Sequence, residues 1–409
     1  MSYILYLVLA ICILLFMVLV HEFGHYIVGR MLNFKITEFS VGFGKALFSR
    51  RNKRGELISL RVVPLGGYCA FVGEDETDKD NKDAFTNQAP WKRILVFLAG
   101  VTFNFATAVV FSLILLCTVG YDIPQVKNIT NTIDFNSKYK IENVIGDAYA
   151  PNILTEEQLQ ERDIIISIDG KKIDFAYGSN YNDLIAERAK LLNGDVYTLV
   201  GEKSKLLVEF DEEESEELPL TTQQFNDIAV MNAVVKRDGE YKNIKLTFYR
   251  VEVEILDKEN NPTGETEYKY IWNTQVKAYV HNFGEGLRRA VPFAFGLAFT
   301  VLKSFWLLIT FQLPISAVGG PITTISTIAT VTQASLSNIL LLIPLISANL
   351  AIFNLLPIPA LDGAHVLFTT IEAIRKKPIK RETENLIHTI GLLILFGFVI
   401  LIDILHFIL

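Results

Sequence analysis

The segment His21-Glu22-Phe23-Gly24-His25 closes an unbroken apolar run from Tyr3 to Val20. On a helix this spacing sets two imidazoles at i and i+4, on one face, where both can ligate a single Zn²⁺. It also puts a carboxylate beside them that can act as general base on a water. The 18 residues before the motif carry no charge and would cross most of a bilayer as a helix. Ionisable groups are costly at membrane depth, so three together mark a function rather than idle polarity.

Composition agrees with a chain divided between lipid and water. Half of the 409 residues are apolar, and the mean hydropathy is +0.32. That is too apolar for an ordinary soluble protein and too polar for a bare membrane bundle, so spans plus at least one water-facing domain are expected. The N-terminal run has no basic leader and no small-x-small cleavage site, and reads as a retained span. Cys12, Cys69 and Cys117 show no CxxC spacing and read as packing residues, neither a zinc-thiolate site nor a disulfide scaffold.

Charge is unevenly spread. Residues 122–288 hold 31 Asp and Glu against 19 Lys and Arg, a balance of −12, whereas residues 30–93 hold 8 against 12, a balance of +4. Five basic residues crowd into Arg375–Arg381. The acidic middle argues against nucleic-acid binding. The basic loops place 30–93 and 375–381 in the cytoplasm. Apolar stretches stand at about 3–29, 94–119, 290–311, 338–360 and 386–409. With both basic segments inside, one stretch between them does not cross. The segment 290–311, with Lys303 in its middle, Pro292 near its start and Arg288-Arg289 at its edge, is expected to lie in the interface.

Between these spans the patterns are β-like. Lys35–Val41 alternates, Gly42-Phe43-Gly44 interrupts, and Glu56–Val63 alternates again before Pro64-Leu65-Gly66-Gly67, which predicts a hairpin just after the metal helix. Further on, Asp163–Ile173 reads as strand, Asp-Gly turn and strand. Arg237-Asp238-Gly239-Glu240 reads as a second turn. A helix is expected over 183–192, and the acidic run 211–217 reads as a solvated loop.

Two imidazoles leave a catalytic zinc one protein ligand short. Asp362, in Asn354-Leu355-Leu356-Pro357-Ile358-Pro359-Ala360-Leu361-Asp362-Gly363, is the carboxylate at the end of another apolar stretch on the same membrane side. Pro357 and Pro359 break the helix there, a break tolerated only where it faces protein or a wet cavity. His365 reads as a supporting residue, because the ligand set is already complete.

Taken in order, HEFGH, Gly42-Phe43-Gly44, Pro64-Leu65-Gly66-Gly67-Tyr68, Gly319-Gly320-Pro321-Ile322 and Asn354–Gly363 resemble the site-2 protease family (M50) of intramembrane zinc metalloproteases. The order of parts is similar to its regulator-of-sigma-E protease-like branch. The chain has Leu361-Asp362-Gly363-Ala364-His365 where the family commonly has LDGGH.

The resemblance implies Zn²⁺ held by His21, His25 and Asp362, with Glu22 as catalytic base. It implies substrate contacts at Asn349, Asn354, Pro357 and Pro359 and at the Gly42, Phe43 and Gly44 hairpin. The expected fold is a polytopic α-helical membrane protein. It has four transmembrane helices, an interfacial helix, a membrane-associated β-hairpin and an extracytoplasmic PDZ-like α+β domain.

The expected divisions are 1–120, 121–285, 286–335 (the interfacial helix and a GGPI linker) and 336–409, in the cell (inner) membrane. The expected activity is regulated intramembrane proteolysis of a single-span membrane protein or peptide substrate, after a prior cut outside. A PDZ-bearing sensor with a structural zinc is the alternative. It has no use for Glu22 and would favour four protein ligands. A transporter would need polar residues along several spans and repeat symmetry, which the spans 94–119 and 386–409 do not suggest.

Overall fold

In the computed structural model, the HExxH helix is α1, Tyr3–Met31, 29 residues long. The described residues are 3–74, 81–121, 123–129, 132–133, 148–149, 159–168, 170–172, 228–256, 262–271, 274–312, 319–377 and 379–408. The expected helix at 183–192 and the acidic run 211–217 lie outside them. The chain divides into two units, 1–117 with 282–409, and 118–281.

In α1 the buried positions Ala10, Ile13, Met17, His21, Gly24 and His25 follow helical spacing. The apolar stripe and the metal motif are therefore one face. Its first half packs on Ile328, Ala329, Leu342, Ile343 and Ile346 from two later helices. Its second half meets α2, Pro90–Thr118, which starts on a proline whose fixed φ suits a first helical turn. At Gly24 a Cβ would lie 2.6 Å from the Ala99 carbonyl oxygen, so the two backbones touch here only because the side chain is a hydrogen.

The expected hairpin is β1, Ile36–Arg51, and β2, Leu57–Phe71, and it is more folded than a simple ribbon. Residues 36–41 pair with 67–71, from Ile36 opposite Phe71 to Val41 opposite Gly67. Their other side carries 57–60, from Glu38 beside Leu57 to Val41 beside Leu60. Residues 48–51 pair with 57–60 in turn. The strand segments thus run 67–71, 36–41, 57–60, 48–51, and 67–71 is an edge. Gly42 and Gly44 do not end the strand. They sit within β1 at φ +87° and +80°, bending it where a side chain would be strained. Phe34, Phe39, Phe71, Phe85 and Phe97 seal the sheet against α1 and α2.

Five helices are long and apolar enough, by length and composition, to cross a membrane. Besides α1 and α2 these include α3, Phe283–Ile309, whose first turn is capped by the Asn282 side chain accepting from Glu285 N–H at 3.0 Å. The segment after Gly319-Gly320, expected as a linker, is instead α4, Pro321–Ala334. Its first-turn donors, Ile322 N–H and Thr323 N–H, are accepted by the buried carboxylate of Asp403 at 3.1 and 3.2 Å. A proline at the first helical position and a remote carboxylate cap explain this helix; the cap is a tertiary contact absent from the local sequence. α5, Ile339–Leu355, completes the fourth apolar stretch, and α7, Arg381–Ile408, supplies the last.

Between them the prolines do what their missing N–H requires. α5 ends at Leu355, and a new helix, α6, Asp362–Arg375, begins on the aspartate. α6 is tied to α2 by a buried ion pair, Arg93 Nη1 to Glu372 Oε2 at 2.7 Å. The other carboxylate oxygen of Glu372 accepts Ile379 N–H at 3.1 Å.

The second unit contains a sheet in the order β10-β9-β8-β6-β3-β11, with β7 on β6. Its strands are β3 (Pro124–Ile129), β6 (Ile164–Ile168), β7 (Lys171–Lys172), β8 (Ile228–Arg237), β9 (Glu240–Leu256), β10 (Pro262–Ile271) and β11 (Thr274–Ala278). A separate pair is β4 (Thr132–Ile133) with β5 (Ala148–Tyr149). The Asp238-Gly239 turn has positive φ at both residues, the twist a two-residue hairpin requires. Asp163, fully buried, receives Arg237 Nε and Nη2 at 2.8 and 2.6 Å, which ties β8 to the start of β6.

Removing one partner of the Arg93–Glu372 pair leaves a buried charge alone. Arg93→Leu is expected to lower apparent stability in detergent by about 3–5 kcal/mol. Arg93→Leu with Glu372→Leu is expected to recover most of that loss. Thermal unfolding followed by circular dichroism checks both; a silent single variant would contradict the pairing.

Candidate metal centre and active site

The three residues expected to ligate a metal arrive from two helices and meet at one point. His21 Nε2 lies 3.0 Å and His25 Nε2 3.4 Å from Asp362 Oδ2, and the two Nε2 atoms are 3.2 Å apart. Donors about 2.0–2.2 Å from a tetrahedral zinc would be about 3.3–3.6 Å from one another, so the triangle has the right size for one ion.

The proton positions agree. His25 Nδ1 donates to the Val96 carbonyl at 2.8 Å, which leaves Nε2 as a lone pair. His21 Nδ1 lies 3.1 Å from the carboxamide of Asn104. The atom placed there is Asn104 Nδ2, while Oδ1 is buried with no partner among the described residues; with His21 Nε2 directed at a metal the proton sits on Nδ1, and the carboxamide turned over accepts it through Oδ1. Asp362 Oδ2 is likewise a buried acceptor lacking a hydrogen bond. Three acceptor lone pairs facing one another this closely repel unless a cation lies between them, and the donor set suits zinc.

α2 closes over this point through Gly100. A Cβ there would stand 2.5–2.7 Å from His21 Cε1, His25 Nε2 and His21 Nε2. Any side chain would occupy the ligand cluster. Val96, Gly100 and Asn104 are spaced four apart, so one stripe of α2 orients both imidazoles and leaves room between them.

Beside the triangle is a cavity of about 310 Å³. It is lined by Glu22, Asn354 and the three ligands, with Tyr68, Cys69 and Phe71 on the hairpin side and Val18, Phe97 and Leu350 among the apolar walls. Glu22 and Cys69 both face this cavity. A Cβ on Gly67 would lie 3.4 Å from Glu22 Cγ. The strand that runs past Glu22 is therefore 67–71, whose outer edge pairs with no strand among the described residues.

Not every residue expected at the substrate lies at this cavity. Asn354 lines it; Asn349, five positions earlier and so well round the helix, is exposed and does not. Gly42, Phe43 and Gly44 also lie outside the lining and act through neighbours. The Phe43 ring stacks on Tyr68, centroids 6.3 Å apart, and Arg61 Nη1 holds the Gly44 carbonyl at 2.6 Å. Arg61 Nη2 binds Glu38 at 2.6 Å. Burial alone would raise the Glu38 carboxyl; hydrogen bonds from Ser59, Arg61 and Tyr68 outweigh it and hold that carboxyl below its usual range. Pro357 is exposed and Pro359 packs away from the ligands, on Gly391. His365 lines the cavity without joining the triangle.

Neither Asn104 nor the 67–71 edge stands among the site residues expected from the sequence. The first had a signal, a carboxamide in an otherwise apolar span. The second had none, because pairing partners along a bent ribbon are set by tertiary packing.

Fold and site together define a polytopic membrane protein with an HExxH-type metal centre in its helical unit. The chain belongs to peptidase family M50, whose model matches residues 9–398. It is similar to proteins named "putative zinc metalloprotease" in three bacteria. The relative in Mesorhizobium japonicum is 26% identical, over 94% of each chain. That in Neisseria meningitidis is 28% identical, over 91% of this chain and 92% of its own. That in Streptococcus pyogenes is 28% identical, over 93% of each.

Asn104→Ala removes the acceptor that fixes His21. It is expected to lower zinc affinity by about 10–100-fold, as loss of a ligand's hydrogen-bond partner does. Chelator competition on the purified protein, with helical content monitored, checks this; unchanged affinity would remove Asn104 from the site.

Proposed function

We infer that this chain is an intramembrane zinc metalloprotease that cuts single-span membrane proteins or peptides within the bilayer. The observation that carries the reading is the cavity itself, which gathers three metal-type donors, a carboxylate outside the ligand set and the 67–71 segment, which pairs on one side only with strands among the described residues. When bound, zinc supplies Lewis acidity and lowers the pKa of a coordinated water.

The chain's own residues supply the rest. Glu22 stands beside the ligands, where it can take a proton from the attacking water and return it to the leaving amine. Asn354 offers a fixed amide dipole on the cavity wall to the oxyanion that develops at the carbonyl. A helical substrate hides its peptide bonds, so the segment to be cut must be unwound. Unwinding frees main-chain donors and acceptors that lipid cannot satisfy. The 67–71 edge offers them partners by strand addition and brings the guest backbone alongside Glu22. Pairing thus falls to 67–71, and Gly42–Gly44 shape the ribbon that presents it.

Glu22 also separates this reading from a sensor with a structural zinc. Among the described residues the ligand cluster has three members, not four, and a base stands next to it.

The seat in the cell (inner) membrane, the extracytoplasmic side of 121–285 and its PDZ-like role as a docking site or size filter belong to the same proposal. The basic segments 30–93 and 375–381 support the sidedness, whereas the cell (inner) membrane seat and the PDZ-like filter rest on the family resemblance. The interfacial seat of 290–311 follows from the same count. Cysteines placed on either side of Lys303 are expected to label from one side of the membrane; labelling from opposite sides would make α3 a fifth span.

One assay tests both the chemistry and the filter. Wild type and Glu22→Gln are purified in detergent, assayed for zinc and given one single-span substrate, intact or trimmed on its outer side. Both proteins are expected to hold about one zinc, and the variant to lose about 10²–10⁴-fold in cleavage. The trimmed substrate is expected to be cut faster. Full activity in Glu22→Gln would overturn its role, zinc without any cleavage by wild type would favour the sensor, and equal rates on the two substrates would remove the filter.

A further inference from the structure

Beyond the metal ligands, α7 carries a second group of metal-type side chains. His388, Glu384 and, from α6, His365 bring their ligand atoms within 4.8 Å of one another. Chemistry argues against a second metal ion there. His388 Nδ1 accepts the backbone N–H of Ala360 at 2.9 Å, so the proton of the neutral ring sits on Nε2. Nε2 then has no lone pair to give while that bond lasts. The rings of His365 and His388 also lie face to face, 4.0 Å apart and 10° from parallel. In-plane lone pairs on two such rings cannot converge on one ion.

The same contacts describe a clamp on the residues that deliver Asp362. Ala360 is a non-glycine residue at φ +79°, in the connection between α5 and α6 and two residues before the ligand. L-residues rarely hold such a conformation unless the surroundings enforce it. Two features of one face of α7 enforce it here. His388 takes the Ala360 N–H, and Gly391, three residues on, lets Pro359 approach so closely that a Cβ at 391 would overlap the proline ring.

His388 is itself held by the His365 stack and by the edge of Phe368, centroids 5.5 Å apart. His365 in turn lies flat on Phe97 of α2, at 4.9 Å and 15°. A column of three rings thus ties the connection before Asp362 to the helix that orients the two imidazoles. We propose that His388 is a positioning residue for the metal centre, holding the 356–361 connection through Ala360 N–H so that the Asp362 carboxylate meets His21 and His25.

This rests on the metalloprotease reading of the site, but its test needs no substrate. Full-length wild type, His388→Asn, His388→Gln and His388→Leu are loaded with zinc in detergent and titrated with a chelator. Helical content is followed in parallel. Asparagine keeps an amide atom where Nδ1 lies, whereas glutamine moves it one bond further out and leucine removes it. The Gln and Leu variants are expected to release zinc at about 10-fold lower chelator concentration, the scale of a lost supporting contact, and Asn to stay within about 3-fold of wild type.

Equal retention in all four proteins, or equal loss in all three variants, would overturn the proposal. Two zinc ions in wild type and one in the variants would overturn it in favour of a second metal site. Hydrogen exchange on unmodified protein gives a reading that no folding defect can spoil. The Ala360 amide is expected to be protected, and free exchange would sink the clamp. A wild type that holds zinc and cuts nothing would end the protease reading while leaving this outcome standing.

Discussion

Three acceptors facing inward at hydrogen-bond distance form an arrangement that is unfavourable in itself, and the surrounding helices are organised to enforce it. His21 and His25 cannot turn away, because their other ring nitrogens are engaged by Asn104 and Val96 of α2. Asp362 cannot retreat, because it opens α6 and α6 is fixed to α2 through Arg93 and Glu372. A cation converts this mutual repulsion into attraction. The close packing of α1 against α2, with Gly24 against Ala99 and Gly100 over the imidazoles, is what makes so small a triangle possible.

Most of the fold could be read from periodicity and the costs of lipid. The unbroken apolar run before HExxH and the i, i+4 spacing of the motif point to one helix with both imidazoles on one face, and α1 is that helix. The prolines at 357 and 359 break the chain where Asp362 must leave a span, and α5 and α6 meet there. The alternating segments around Gly42–Gly44 become β1 and β2, and the Asp238-Gly239 turn joins β8 and β9 as its residues dictate.

What could not be read depends on contacts between distant segments. α4 starts with a cap supplied from Asp403, about eighty positions away in sequence, so local residues alone look like a linker. The strand beside Glu22 is 67–71 because the ribbon folds over itself, a register that alternation does not encode. Asn349 and Asn354 look alike in sequence, yet helical geometry turns only the second to the cavity. Asn104 was visible as a polar residue in an apolar span, but its partner, the back of His21, is named only by the packing of α1 on α2.

Gly100 sits so close to the two imidazoles that a methyl group there would meet three ligand-ring atoms at 2.5–2.7 Å. α2 would have to move before anything larger than hydrogen fitted at that position. The distance between α1 and α2 and the size of the ligand triangle are therefore a single quantity, and neither can drift over generations of sequence change without the other.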